Sequence, residues 1–354
     1  INGTDKVAYS KFTYAFAELL KAQQWYAFGK TPIEVAHRVV EVVSEATYAA
    51  NSDFSRMDGR VSNVLREFEQ ILYMRAFRHM HHPELSELMR SQYNLEAYTT
   101  LGVKYNTKTS RASGSPETSN NNTVDNAFIV YLAFRLTGFS PLDAYAKLGL
   151  YGGDDGITAD VNSKKFERAA AMVGMVVVAE QHYRGKLGVK FLARVYGPNV
   201  WFGDPNSCCD LPRQLAKLHV TVALPPSASP ALKLIEKCRS FYLTDANTPV
   251  LGQLCAAAKL FNDGELPMYE ETAAMRSYGS HHERNVQYPN EPADWYIAYA
   301  VDALPMFDFD RFTAWICTAD KLEDLLSPPL CMEVAPPKVS EPVVVDQLIV
   351  TPPL

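Results

Sequence analysis

The stretch Leu148-Gly149-Leu150-Tyr151-Gly152-Gly153-Asp154-Asp155-Gly156-Ile157 sets two acids between glycines, with apolar residues on either side. Glycines at these places favour a tight turn, so the stretch reads as a β-hairpin with both carboxylates at its tip. Two adjacent carboxylates repel each other, and a bound cation relieves that repulsion. Taken alone, the pattern is no more than an acidic turn.

Its surroundings change that reading. Upstream, residues 47–53 are short, mixed and tolerant of a strand, and they end in Asp53-Phe54-Ser55-Arg56-Met57-Asp58-Gly59. Val61, Val64, Leu65, Phe68, Ile71 and Leu72 then repeat at three and four, the period of an amphipathic helix. Between the two acidic sites the chain is polar from Leu101 to Asn122, and it opens into a second helical stripe (Val124, Ala127, Phe128, Tyr131, Leu132) closed by Gly138. Further out, Thr31-Pro32-Ile33-Glu34 has the form of a helix start with a reciprocal cap. A helix at 164–172, a Val-rich strand from Met175 to Val178 and a strand near 190–196 follow the hairpin. Helical stripes lie at 232–242 and 250–260, and from Val334 the Pro- and Val-rich end reads as an extended tail, with Val343 to Val350 open to pairing with a sheet edge.

Phosphoryl transfer assisted by divalent cations needs carboxylates from separate strands converging on one point, because two hard cations about 4 Å apart take oxygen ligands. Asp53 and Asp154 have the spacing for that role, with Asp155 assisting.

In order and spacing, the acid-x4-acid strand end (Asp53, Asp58), the Ser113-Gly114-x3-Thr118-x3-Asn122 loop and helix, and the Gly153-Asp154-Asp155 hairpin resemble catalytic motifs A, B and C of positive-strand RNA virus RNA-dependent RNA polymerases. Gln23-Gln24-Trp25-Tyr26-Ala27-Phe28-Gly29-Lys30-Thr31-Pro32, Arg56-Met57-Asp58-Gly59 and Ser113-Gly114-Ser115-Pro116 further resemble the nodavirus and nodavirus-like branch. The resemblance implies an α+β fold, the right-hand polymerase palm, an antiparallel sheet backed by helices with partial helical fingers and a helical thumb. The segments expected are fingers at 1–46, palm at 47–60, fingers at 61–110, palm at 111–212, thumb at 213–333 and tail at 334–354.

It also implies roles. Two Mg²⁺ ions, with Mn²⁺ as substitute, would sit on Asp53, Asp154 and Asp155. Asp58 and Asn122 would bond the ribose of an incoming NTP, Ser113 and Gly114 would form a loop supporting the templating base, and Thr118 would orient Asn122 and Asp58. Gly114 would supply backbone angles closed to other residues. Lys186 or, close by, Lys190 would protonate the pyrophosphate leaving group. Residues 191–194 resemble the strand that grips a primer end, and Lys104, Lys108, Arg111, Lys190 and Arg194 would meet template and product RNA. The parent protein would sit on replication membranes in the host cytoplasm through a region outside this chain, and a homo-oligomer is compatible with the reading. Asp58 argues against a reverse transcriptase, which sets a bulky aromatic there, and the intact acids argue against a catalytically silent palm.

Composition narrows the field less. Within 354 residues, 47% apolar content gives ample core, while a formal charge of −6 excludes a simple nucleic-acid wrapper and leaves RNA contact to local basic surfaces. Six cysteines without zinc spacing read as reduced thiols. The longest apolar run, Ala169 to Ala179, is far short of the roughly 18 residues a membrane span needs. His79, His81 and His82 read as a helix end in preference to a zinc site, as does His281-His282, and Trp25 and Tyr26 read as core aromatics. The dispersed Lys6, Lys11, Lys21, Lys30 and Arg38 do not make the basic fingers loop that such polymerases place before the first acid. The expectation is a chain that begins inside the fingers, with which a lack of activity in isolation is compatible.

Overall fold

The computed structural model describes residues 1–186, 188–221, 224, 229–261 and 286–332, together with the backbone of 343–345 and 348–350. Helix α1 (Gly3–Lys21) is followed by α2 (Pro32–Val43), whose N-terminus carries the capping box read in Thr31 and Glu34. Strand β1 (Tyr48–Phe54) runs through a 3-10 turn, Met57–Arg60, into α3 (Asn63–Ala76) and α4 (His82–Arg90). A hairpin of β2 (Glu96–Tyr98) and β3 (Lys104–Asn106) precedes α5 (Thr118–Thr137) and the short α6 (Pro141–Ala146). Then come β4 (Leu150–Gly152), β5 (Asp155–Ala159), α7 (Ser163–Met172) and β6 (Val177–Tyr183).

Strands β4, β5, β1 and β6 pair in that order, all antiparallel. β1 lies inside the sheet, and its Ala49 and Ala50 are both buried, which allows close packing on either face. On one face Ala50, Phe54, Tyr151 and Val177 pack against α5 and α7 through Ile129, Val130, Ala133, Phe166 and Ala169. On the other, Ala49, Leu150 and Ile157 meet Val35, Val39 and Val43 of α2. The free edge of β4 is covered by residues 25–27, where Ala27 N donates to Tyr151 O and Tyr151 N to Trp25 O. Tyr26 is buried there as a core aromatic, as expected.

A second sheet of β7 (Val189–Phe191), β8 (Arg194–Tyr196) and β9 (Ser207–Cys209) leads to α8 (Leu211–Leu218), α9 (Pro230–Asp245), α10 (Leu251–Leu260) and the helices Trp295–Ala303 and Phe309–Thr318. These helices bury a separate core around Leu211, Leu234, Ile235, Leu254, Phe312 and Leu325. The antiparallel sheet backed by helices, followed by a helical C-terminal part, is the architecture expected from sequence. Residues 343–345 pair with 348–350 in their own hairpin and not with a larger sheet. His281-His282 lies outside the described residues.

Several boundaries differ from the sequence reading. The strand at 175–178 is β6, which starts at Val177 and runs on to Tyr183 because β1 pairs with it along its whole length. Residues 190–196 are not one strand: Leu192 and Ala193, at φ of 47° and 58°, turn the chain between β7 and β8. Residues 191–194 therefore form a hairpin turn. The polar stretch 101–122 holds β3 and the start of α5, so Asn122 lies inside a helix and not in a loop before it.

Candidate active site

The register of β1 on β5 pairs Ser52 with Gly156, and one step further Asp53 faces Asp155 across the two strands. Asp154 sits beside them at the hairpin tip, where Gly153 adopts φ +70°. Like charges directly opposite on neighbouring strands repel. Burial and then the carboxylates of Asp154 and Asp53 push the Asp155 carboxyl up to about 6, while Arg213 acts in the opposite sense. All donor atoms here are carboxylate oxygens, the ligand type that Mg²⁺ and Mn²⁺ prefer, and a cation would relieve the repulsion that raises Asp155. Among the described residues no three His, Cys, Asp or Glu side chains are drawn together into a finished metal site.

Helix α5 fixes the hairpin from beneath. Gly153 N donates to Thr123 Oγ1 (2.8 Å), and Asn126 Nδ2 spans the carbonyls of Gly153, Asp154 and Asp155 at 3.2–3.3 Å. Neither Thr123 nor Asn126 stood out from sequence, although Asn126 lies one helical turn after Asn122, and i,i+4 spacing was the available signal.

Four residues further along α5, towards its N-terminus, Asn122 Nδ2 donates to Asp58 Oδ1 at 2.8 Å, and Ser113 Oγ donates to Asp58 Oδ2. Asp58, Asn122, Ser113, Thr118, Arg56, Gly153 and Asp154 line one cleft of about 640 Å³. Asp53 and Asp155 line a neighbouring cleft of about 250 Å³ with Lys190 and Arg213. Asp58 and Asn122 thus come together on the same side of the hairpin as Asp154, and the Ser113 hydroxyl, expected in a loop under the templating base, is bonded to Asp58.

Other expected roles do not survive. Lys186 lies in the turn after β6, beside Glu45, Thr47 and Arg184. That is the opposite end of β1 from Asp53, about 20 Å away at strand rise. Between the two lysines left open, only Lys190 borders the acids. Arg111 is buried and binds Glu69, Asp125 and Asn122, so it offers nothing to RNA. Arg194 is buried as well: its Nη1 pairs with Asp245 Oδ2 at 2.7 Å and its guanidinium lies over the Tyr288 ring. Both cations were drawn inward because unsatisfied buried carboxylates are costly. Lys104, Lys108 and Lys190 remain exposed. Thr118 donates to the carbonyls of Ala112 and Ser115, closing the loop rather than orienting Asn122. Gly114 has no left-handed φ, and a Cβ there would approach only Lys6 Nζ at 4.0 Å, so its special freedom is unused in this conformation. Sequence reading passed over Arg56, whose φ of 52° is rare for a side chain of its size and which lines the larger cleft.

Behind Asn122 lies a buried cluster of two arginines and three carboxylates. Arg66 Nη1 contacts Glu117 Oε1 (2.6 Å) and Glu69 Oε2 (3.2 Å), Arg111 contacts Glu69 and Asp125, and Tyr9 donates to Glu117 (2.9 Å). Burial, then Glu69, pushes the Asp125 carboxyl far up, while Arg111 acts in the opposite sense. Burial opposes the charge on Arg111, yet Glu69, Asp125 and Glu117 outweigh it and raise the guanidinium.

Residues 6–143 match the family model for viral RNA dependent RNA polymerase. The chain belongs to the viral RNA-dependent RNA polymerase family. It is 30% identical over 298 residues to the RNA-directed RNA polymerase of greasy grouper nervous necrosis virus, covering 82% of this chain and 30% of that protein. Against the RNA-directed RNA polymerase of Nodamura virus it is 32% identical over 292 residues, covering 77% of this chain and 26% of the relative. The chain therefore spans less than a third of the length of these nodavirus polymerases. Among solved structures, an insertion-loop deletion mutant of a human picobirnavirus RNA-dependent RNA polymerase aligns over 64% of this chain and 45% of that one, with a TM-score of 0.52 at 13% identity. That likeness concerns the fold, and it places this polymerase-family chain on the same α+β architecture.

Proposed function

We propose that this chain carries the nucleotide-joining centre of a nodavirus-like RNA-directed RNA polymerase, acting on template RNA and NTPs. The observation that carries the reading is one sheet end that presents Asp53, Asp154 and Asp155 beside the Asp58–Asn122–Ser113 group. Asp53 and Asp154, assisted by Asp155, would hold two Mg²⁺ or Mn²⁺ ions, which when bound supply charge stabilisation at the phosphate undergoing transfer and activate the attacking hydroxyl.

The chain's own groups do the rest. Asp58 accepts from an incoming ribose hydroxyl and Asn122 donates to it, so a sugar lacking that hydroxyl leaves polar groups unpaired. Arg56, a fixed cation in the same cleft, meets triphosphate charge. Lys190, at the edge of the acids, is placed to protonate departing pyrophosphate. Lys104 and Lys108 on the exposed β2–β3 hairpin and its following turn offer charge to RNA phosphates. The reading extends to assembly on host cytoplasmic membranes through other parts of a longer protein; no helix among the described residues is long and apolar enough to cross a membrane. Vesicle flotation of an extended chain tests that part.

Primer extension on a defined RNA template, with this chain and an N-terminally extended version, tests the main reading. RNA growth that requires divalent cation and disappears in Asp53→Ala and Asp154→Ala is expected. Growth that persists in both variants, or none from either version, would remove the proposal.

A further inference from the structure

The Asn122 side chain ends in an oxygen and an NH₂ group of almost the same shape, and only its partners decide which of them faces Asp58. A ribose-reading site needs the NH₂ there, because a carbonyl oxygen against the Asp58 carboxylate would set two acceptors together. Arg111 resolves the choice from behind. Its guanidinium has five N–H donors and no acceptor, and it contacts Asn122 Oδ1. Only the oxygen can face it, which leaves Nδ2 on Asp58 Oδ1 at 2.8 Å with a second N–H to offer.

We infer that Arg111 is a positioning residue that locks the Asn122 amide in the ribose-reading orientation and thereby sets the preference of this chain for ribonucleotides over deoxyribonucleotides. The inference rests on the polymerase reading above and adds a determinant to its sugar site.

Arg111 is itself held on every side. Glu69 of α3 takes Nη2, Asp125 of α5 lies at 3.4 Å from the same nitrogen, and Glu117 lies at 3.8 Å from Nε. Its backbone N donates to Asp58 O at 2.8 Å, so the same residue anchors both the acid and the amide of the pair. Flipping Asn122 would break the contacts at both ends of its amide. With the guanidinium gone, only Asp58 would oppose a flip, and Asp58 also receives the Ser113 hydroxyl. Lysine cannot replace this function: a single ammonium has no planar fork to span Glu69, Asp125 and Asn122 together.

A residue that merely holds α3 and α5 together would, when altered, lower the incorporation of every nucleotide alike. A residue that sets the amide changes the ratio between sugars. The test therefore measures the efficiency of CTP and dCTP incorporation opposite one templating guanine, alongside urea unfolding, for the wild type, Arg111→Lys, Asn122→Ala and Arg111→Lys/Asn122→Ala. A second route to the same loss is Arg111→Met combined with Glu69→Gln, which removes one buried cation and its paired carboxylate together and so leaves the net charge of the cluster unchanged.

The expected result is a ribose preference at least tenfold lower in Arg111→Lys and in the charge-balanced double variant. Arg111→Lys should cause no further drop in the Asn122→Ala background, because the arginine acts through the asparagine. Wild-type ribose preference in both Arg111 variants, or full additivity with Asn122→Ala, overturns the inference while leaving the polymerase reading intact. A wild-type chain that does not favour CTP over dCTP removes the sugar site itself, and the inference with it.

Discussion

Asn126 is the residue whose loss separates position from chemistry at the acidic hairpin. It touches no expected substrate, yet its amide spans the carbonyls of residues 153–155 while Thr123, three residues earlier on α5, holds Gly153 N. The amide has two N–H groups for three oxygens at 3.2–3.3 Å, so at most two effective bonds are lost in Asn126→Ala. At about 1 kcal/mol net for each, plus the small void left by a buried side chain, the chain should lose about 2–3 kcal/mol. That corresponds to roughly 3–4 °C in Tm for a chain of this size. The rate should suffer more than the stability. Misplacing reacting groups by about 1 Å costs on the order of 100-fold, and the freed hairpin carries two of the three acids. Thermal melts and single-turnover extension at saturating rNTP measure the two effects. Asn126→Asp is the sharper control: it is nearly isosteric but turns a carboxylate oxygen toward three carbonyls, so it should be worse than alanine. A folded Asn126→Ala chain that extends RNA within twofold of wild type, or Asn126→Asp behaving better than alanine, would refute the claim that α5 positions the acids.

Three further outcomes follow from the same geometry. A Cβ on Gly156 would lie 2.4 Å from Ser52 Oγ and 2.8 Å from Tyr151 Cδ1, so Gly156→Ala should wedge β1 from β5 and cost about 1–3 kcal/mol in urea unfolding. Gly153→Ala meets nothing within 4 Å and should cost only about 1–2 kcal/mol for its left-handed backbone, with equal losses counting against the register. Because the folded-state pKa of Asp155 is raised, the folded chain binds that proton more tightly than the unfolded one. In metal-free buffer its contribution to stability therefore falls as pH rises from about 4 to about 6, and at pH 7 Asp155→Asn should melt higher than wild type; a lower Tm for the variant would contradict the repulsion. Lys190→Leu should slow single-turnover incorporation by roughly 10- to 100-fold and Lys186→Leu by less than twofold, and the reverse order would show that the sheet end has been misread.

The parts of the molecule that sequence made legible are those in which local chemistry dictates structure. The Thr31–Glu34 cap, the glycine-bounded hairpin and the stripe leading to α5 all appear where the residues alone require them. The acids could be placed because strand alternation and hairpin geometry leave few alternatives. The basic residues could not, since their destination depends on partners far along the chain. Arg111 finds Glu69 from 42 residues away and Arg194 finds Asp245 from 51, and no periodicity announces either pairing. The start of α5 was hidden for a related reason. A run of Ser and Asn reads as loop because such side chains compete for backbone bonds. Here Asn120 and Asn121 are occupied instead by the hydroxyls of Tyr26 and Tyr73, and Asn122 by Arg111 and Asp58, so the backbone is left free to be helical. Lys186 and Lys190 are only four residues apart in sequence, and the turn into β7 is what sends one of them to the acids and the other to the far end of β1.

The most direct test of a template-directed joining centre is to change the template and nothing else. Four RNA duplexes identical except for the first unpaired template base, each offered the four rNTPs singly with Mg²⁺ or Mn²⁺, report whether the added nucleotide follows the template. The expected pattern is addition of the complementary ribonucleotide on each template, and its absence throughout in Asp154→Ala. Addition that ignores the template base, or that continues in Asp154→Ala, would contradict the assignment of Asp53, Asp154 and Asp155 as the centre of an RNA-directed RNA polymerase.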